Sequence, residues 1–154
     1  MLAPPSLQSE YALAYSGDPA LNLPADETER ANTLRIARET GRWAAITHAG
    51  QEPTAFVFRP IHGVARTWMA NQARAKELTP DAVIELVFRL ALVRVDNLPG
   101  LSLKHERVDG LPLLTLASMD QIYSLGTGEL GRELVVELGD IVLTRTLQGV
   151  PPKS

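Results

Sequence analysis

Three histidines, His48, His62 and His105, are the side chains here best suited to hold a metal or move a proton, and none lies in an HxH or HxxxH spacing. A zinc site would need the fold to gather them from a turn, a loop after Pro60 and a strand, with a carboxylate completing the set. Surface or hydrogen-bonded histidines are the expectation, and no metal ligand is assigned. Cysteine is absent, which excludes disulfides, thiolate ligands and thiol nucleophiles. No serine stands in a GxSxG elbow, and no GxxxxGK[ST] phosphate loop occurs. Gly126 to Gly131 spells GxGxxG. A dinucleotide fingerprint also needs a buried strand before it and an acidic residue about 20 positions later. Here a helix is expected before it and the sequence ends soon after, so the match reads as a helix–helix connector. No catalytic residue and no cofactor is assigned.

The remaining charged clusters suit contacts better than catalysis. Glu129, Glu133 and Glu137, continued by Asp140, fall about one helical turn apart and form an acidic ridge. Leu130, Leu134, Leu138 and Ile141, with Val135 and Val142, form the core-facing stripe of the same helix, and Val136, Leu143 and Leu147 form a second apolar line beyond the ridge. A helix with two apolar lines flanking an acidic one is suited to two contacts, one with its own core and one with a partner, or else buries both lines within one domain. Arg59, Arg66, Arg74 and Lys76 supply a modest basic edge that could receive such a ridge from a neighbour. Tyr11 and Tyr15, in a Pro-, Ser- and Gly-rich start, are the other candidate contact residues. The expected protein interface is therefore Tyr11, Tyr15, Glu133, Val136, Glu137, Leu143 and Leu147.

The elements that position these residues are organised around Thr79 to Arg94, TPDAVIELVFRLALVR. Thr79 suits an N-cap, Pro80 the first helical position and Asp81 the first turn. The spacing predicts a central helix over 79–95, apolar nearly all round and free only along Asp81, Glu85 and Arg89. Before it, Asp26 to Thr40 reads as a surface helix capped by Asp26 and stopped by Gly41. RWAAIT–HAGQEP–TAFVFR alternates as a β-hairpin of 43–47 with 54–59. Val64 to Leu78 then resumes helical spacing, forming a pair with the central helix. After it, LSLKHERV–DG–LPLLTL is a hairpin with a two-residue Asp109-Gly110 loop, pairing Val108 with Leu111, His105 with Leu114 and Leu103 with Leu116. Ser118 and Gln121 form a capping box for a short helix over 119–125. The last helix spans 129–147.

A length of 154 residues, 45% apolar and 21% charged, suits one domain. The expected division is an N-terminal arm over 1–25, a single domain over 26–148 and a tail over 149–154. The arm is either a flexible leader or a segment that docks on its own core or on a neighbour, and docking is favoured because Leu13, Leu21, Leu23 and the tyrosines would otherwise be exposed. A formal charge of −3 leaves no electrostatic footprint for specific nucleic-acid recognition. No stretch approaches the roughly 20 apolar residues that span a bilayer, and the first residues lack a charged n-region and an apolar h-region. A cytoplasmic origin without membrane contact is the expectation. The fold class predicted is α+β, with about five helices around the 79–95 segment, two β-hairpins and an extended N-terminal arm.

Four stretches carry a family likeness: EPTAFVFRPI at Glu52 to Ile61, LALVRVDNLPGL after the central helix, GLPLLTLASMDQIY at Gly110 to Tyr123, and ELGRELVVELGDIVLTRTL at Glu129 to Leu147. Their order, from about Gly41 to Leu147, resembles small virion structural and tail-assembly proteins of tailed bacteriophages. The resemblance implies a non-enzymatic protein of the head, neck or tail, located in the virion and in the host cytoplasm during assembly. It further implies contacts with copies of itself, as a homo-oligomer, and with other phage structural proteins. A tail-assembly chaperone absent from the finished particle is one alternative. A small ligand-binding domain or enzyme of unassigned chemistry is another.

Overall fold

Thr79 accepts the backbone N–H of Ala82 on its Oγ1 at 3.2 Å, Pro80 occupies the first turn, and a helix runs over Pro80–Ala91. The structure is a computed structural model and describes residues 10–148. Pro4-Pro5 and the tail expected over 149–154 lie outside the described residues. In chain order the elements are β1 Tyr11–Leu13, α1 Glu27–Thr40, a 3-10 turn Trp43–Ile46, β2 Ala55–Phe58, α2 Val64–Ala75 and α3 Pro80–Ala91. They continue as β3 Leu92–Asp96, β4 His105–Val108, β5 Leu111–Leu114, α4 Leu116–Tyr123 and α5 Leu130–Gln148. This is the expected α+β class, with five α-helices, a three-stranded antiparallel sheet ordered β1-β2-β3 and a separate β4-β5 hairpin among the described residues.

The central helix is shorter than its apolar run. It ends at Ala91, Leu92 turns extended at φ −68° and ψ 121°, and Leu92–Asp96 is a strand instead of the last turn of a helix. Val93 and Val95 are β-branched and alternate with Arg94 and Asp96, a period of two that suits pairing along one edge. β2 supplies that edge, from Ala55 opposite Asp96 to Phe58 opposite Leu92. Its other edge is taken by β1, with Tyr11 opposite Phe58 and Leu13 opposite Phe56.

With both edges of β2 occupied, residues 43–47 have no place in the sheet, and the hairpin expected of them does not form. Trp43–Ile46 curl into a 3-10 turn instead. Ala44 and Ala45 offer little strand preference. The Thr47 hydroxyl donates back to the Trp43 carbonyl at 2.6 Å, and the Trp43 indole donates to the Ala12 carbonyl of β1 at 2.9 Å. The N-terminal segment is thus drawn into the core: Leu13, Ala14, Ala20 and Leu21 are all buried.

The Asp109-Gly110 hairpin forms in the expected register at Val108–Leu111 and His105–Leu114. The pairing stops there, because Thr115 caps α4 by accepting the Ser118 N–H at 3.1 Å. Leu116 is therefore a first-turn residue exposed to solvent, not a strand partner of Leu103. The helix begins three residues before the expected Met119, and the Ser118–Gln121 capping box is not made. The second helix also ends earlier than Leu78, at Ala75, and buries Met69 while Val64 stands exposed.

α3 packs chiefly on α5, more than on α2. The crossing is set by Gly139. A Cβ built there would lie 2.6 Å from Ile84 Cγ2 and 2.9 Å from the Ile84 carbonyl oxygen, so backbone meets backbone. Alanine ordinarily gains about 1 kcal/mol over glycine inside a helix. At Gly139 the steric clash should reverse that sign, since overpacking a core costs about 1–3 kcal/mol. Gly139→Ala is expected to lower stability by about 1–2 kcal/mol in urea unfolding. A stabilised variant would show that the two helices do not meet here.

Candidate interaction surface

The acidic ridge of α5 lies beside the chain's own N-terminal segment and the end of α1. Glu137 accepts the Ser16 backbone N–H at 2.8 Å and the Ser16 hydroxyl, and its carboxylate lies 3.6 Å from the Arg38 guanidinium. Glu133 accepts the Tyr15 hydroxyl at 3.2 Å. Arg145, one face further round, donates to the Arg38 carbonyl at 2.7 Å and stacks its guanidinium 4.2 Å from the centre of the Tyr11 ring. Asp26 starts α1 by accepting the Glu29 N–H at 2.9 Å, and the helix carries Arg38 to this seam. Four of the seven expected contact residues, Tyr11, Tyr15, Glu133 and Glu137, are thereby brought together by intrachain contacts.

Burial sets the acid–base character of the tyrosines. The Tyr11 hydroxyl is pushed up from 10.0 to about 12 by desolvation, against the opposing pull of Arg145. Tyr15 is raised by burial and then by the Glu133 carboxylate. Tyr123, which donates to Glu85, is raised by burial and then by that carboxylate.

The other three expected contact residues also lie on α5, and two of them are exposed. Val136 is 39% exposed, Leu147 is 61% exposed, and Leu143 between them is half-buried against the core. Arg66 of the basic edge reaches the Leu147 carbonyl at 3.4 Å, which ties the start of α2 to the end of α5. Arg74 and Lys76 are exposed at the far end of α2, and Arg59 leaves β2 with a buried Nε that meets no acceptor among the described residues. The polar side of α3 is also used internally. Arg89 donates to the Leu114 carbonyl at 2.9 Å and lies 3.7 Å from Glu106, so of the three residues expected to stay free only Asp81 is exposed.

The histidines remain apart. His48 is exposed in a shallow, open depression with Ala44, Thr47, Gly50, Glu52 and Pro53. His62 is exposed, and His105 bonds through Nε2 to the Leu92 carbonyl at 2.6 Å. The GxGxxG stretch joins α4 to α5, with Gly131 pressed against the carbonyls that end α4. Among the described residues no three His, Asp or Glu side chains gather as a metal site, and no helix is long and apolar enough to cross a membrane. Reading the sequence located the ridge and both apolar lines. It missed Ser16, Arg38 and Arg145 as partners, whose only signal was charge and hydrogen-bonding capacity opposite to that of the ridge.

Removing the Glu137 carboxylate strands Arg38 and the Ser16 amide. Glu137→Ala is expected to cost about 1–2 kcal/mol, reduced by the quarter-exposure of the pair, as read by chemical denaturation. Tyr11 predicts a separate alkaline effect. Its folded-state value lies above its unfolded value of 10.0, so its contribution is complete below pH 10 and is lost as pH rises toward 12. Over that window wild type should lose about 2 kcal/mol that Tyr11→Phe does not lose. Identical alkaline slopes in the two proteins would refute this.

Compared with protein-family models, curated proteins and solved structures, the chain matches none of them.

Proposed function

We propose that the chain is a non-enzymatic structural protein of a tailed-bacteriophage particle, working through protein–protein contacts in the head, neck or tail. The observation that carries this reading is the outer side of α5. Its inner side is spent on α3 and its acidic side on the N-terminal segment, yet the line beyond them stays apolar and exposed at Val136 and Leu147. Exposed aliphatic side chains aligned on a rigid helix suit a contact with a neighbouring chain. The order of the four stretches named in the sequence supplies the phage setting.

The test is substitution at that line combined with inspection of particles. Val136→Lys with Leu147→Lys leaves the buried side of α5 untouched, so folding should be retained by circular dichroism. Incorporation into purified particles, read by quantitative mass spectrometry, should fall about tenfold or more, as loss of a central interface contact implies. Absence of the wild-type chain from particles would overturn the reading and favour an assembly chaperone. Undiminished incorporation of the double variant would remove α5 as the contact.

A further inference from the structure

Ser118 and Gln121, free of the capping box expected of them, hold a neighbouring segment in line instead. The Gln121 side-chain amide mimics a strand: its Oε1 accepts the Ser102 N–H and its Nε2 donates to the Ser102 carbonyl, both at 2.9 Å. Two residues on, Ser118 Oγ accepts the Lys104 N–H at 2.8 Å, and the Thr115 N–H donates to the Lys104 carbonyl at 3.0 Å. The β4-β5 ladder continues the series at Glu106–Leu113 and Val108–Leu111. Every even residue from Ser102 to Val108 therefore turns its backbone toward α4 and β5. In a strand the intervening residues turn theirs the other way. Leu103, His105 and Arg107 direct N–H and C=O groups to an outer edge where no described residue pairs with them. The edge is short and carries the charges of Lys104, Glu106 and Arg107, which keep it from pairing indiscriminately, but neither a proline nor a bulge blocks it. The hairpin's proline, Pro112, lies on the other strand, and β4 has no bulge.

We propose that the outer edge of residues 102–108 pairs antiparallel with the same segment of a second copy, making a four-stranded β5-β4-β4-β5 sheet across a two-fold axis. Charge selects both the occupant and the register. With His105 opposite His105 of the second copy, Lys104 falls directly opposite Glu106 and Glu106 opposite Lys104. Both are exposed and lie on the same face, where Glu106, half-exposed, also stands 3.7 Å from Arg89 of its own chain. Shifting the register by two residues either way puts Glu106 opposite Glu106 or Lys104 opposite Lys104, where like charges destabilise the pair. Leu103 and His105 turn to the other face, where Leu103 packs on the core and His105 anchors on Leu92. The strand is thus fixed in place before it pairs. This inference deepens the reading of the chain as an assembling protein but uses a surface separate from α5, so either can fail alone.

Sedimentation of the full chain and of four variants tests it. Wild type is expected to dimerise reversibly. Lys104→Glu and Glu106→Lys should each weaken dimerisation about tenfold or more, because both symmetric pairs change from opposite to like charge. An equimolar mixture of these two variants restores complementarity at both pairs and should form a heterodimer of near wild-type strength. Arg107→Pro removes an outward donor and spares the inner ladder, and should weaken the dimer comparably while circular dichroism stays unchanged. A wild-type chain monomeric at all concentrations overturns the second-copy assignment and leaves the edge to an extended segment of another protein. A dimer lost in Val136→Lys/Leu147→Lys but kept in Lys104→Glu and Arg107→Pro overturns the edge itself.

Discussion

The close crossing of α3 and α5 is the constraint on which the rest of the structure depends. Gly139 brings the α5 backbone onto the Ile84 carbonyl, and Gly131 does the same against the end of α4. Two glycines inside one helix oppose its intrinsic stability. They are tolerated because close packing here buries Leu134, Leu138 and Val142 against Val87, Phe88 and Leu90. Once α5 is held at this distance, its acidic side falls within reach of Ser16 and Arg38. The N-terminal strand is then anchored at both its sheet and its helix contacts.

The aromatic packing follows from the same constraint. Phe88 of α3 meets Phe58 of β2 edge to face at 5.6 Å, and Phe58 meets Tyr11 of β1 at 6.0 Å. Arg145 of α5 closes this row over the Tyr11 ring. A continuous line of aromatic contact therefore runs from the central helix through the sheet and back to the last helix. It accounts for the burial of the Tyr11 phenol and for the disfavoured ionisation that results.

Much of this was legible in the residues, and what was not has physical reasons. Asp26, Gly41, Thr79 and Asp109-Gly110 act through their immediate neighbours, and local signals of that kind place helix ends and the hairpin correctly. Leu92 to Arg94 suits a buried helix as well as a strand, and only the distant edge of β2 decides between them. Trp43 to Thr47 alternates like a strand, but β1 and β3 occupy the places that a strand would need. Ser118 and Gln121 have the spacing of a cap, while the partners they find, Lys104 and Ser102, lie outside the helix altogether. The ridge on α5 was visible as a pattern, and the segment that covers it was not, because nothing in a helical period names its cross-chain neighbour.

The junction between Ala91 and Leu92 has a mechanical consequence. α3 passes into β3 without a single linking residue, so the helical layer and the sheet have no slack between them. Any rotation of α3 about its axis must be passed on as a twist of β3, and through the Leu92 carbonyl to His105 and the hairpin. The hairpin is thereby tied to the middle of the core by a bond that bypasses the 97–104 connection.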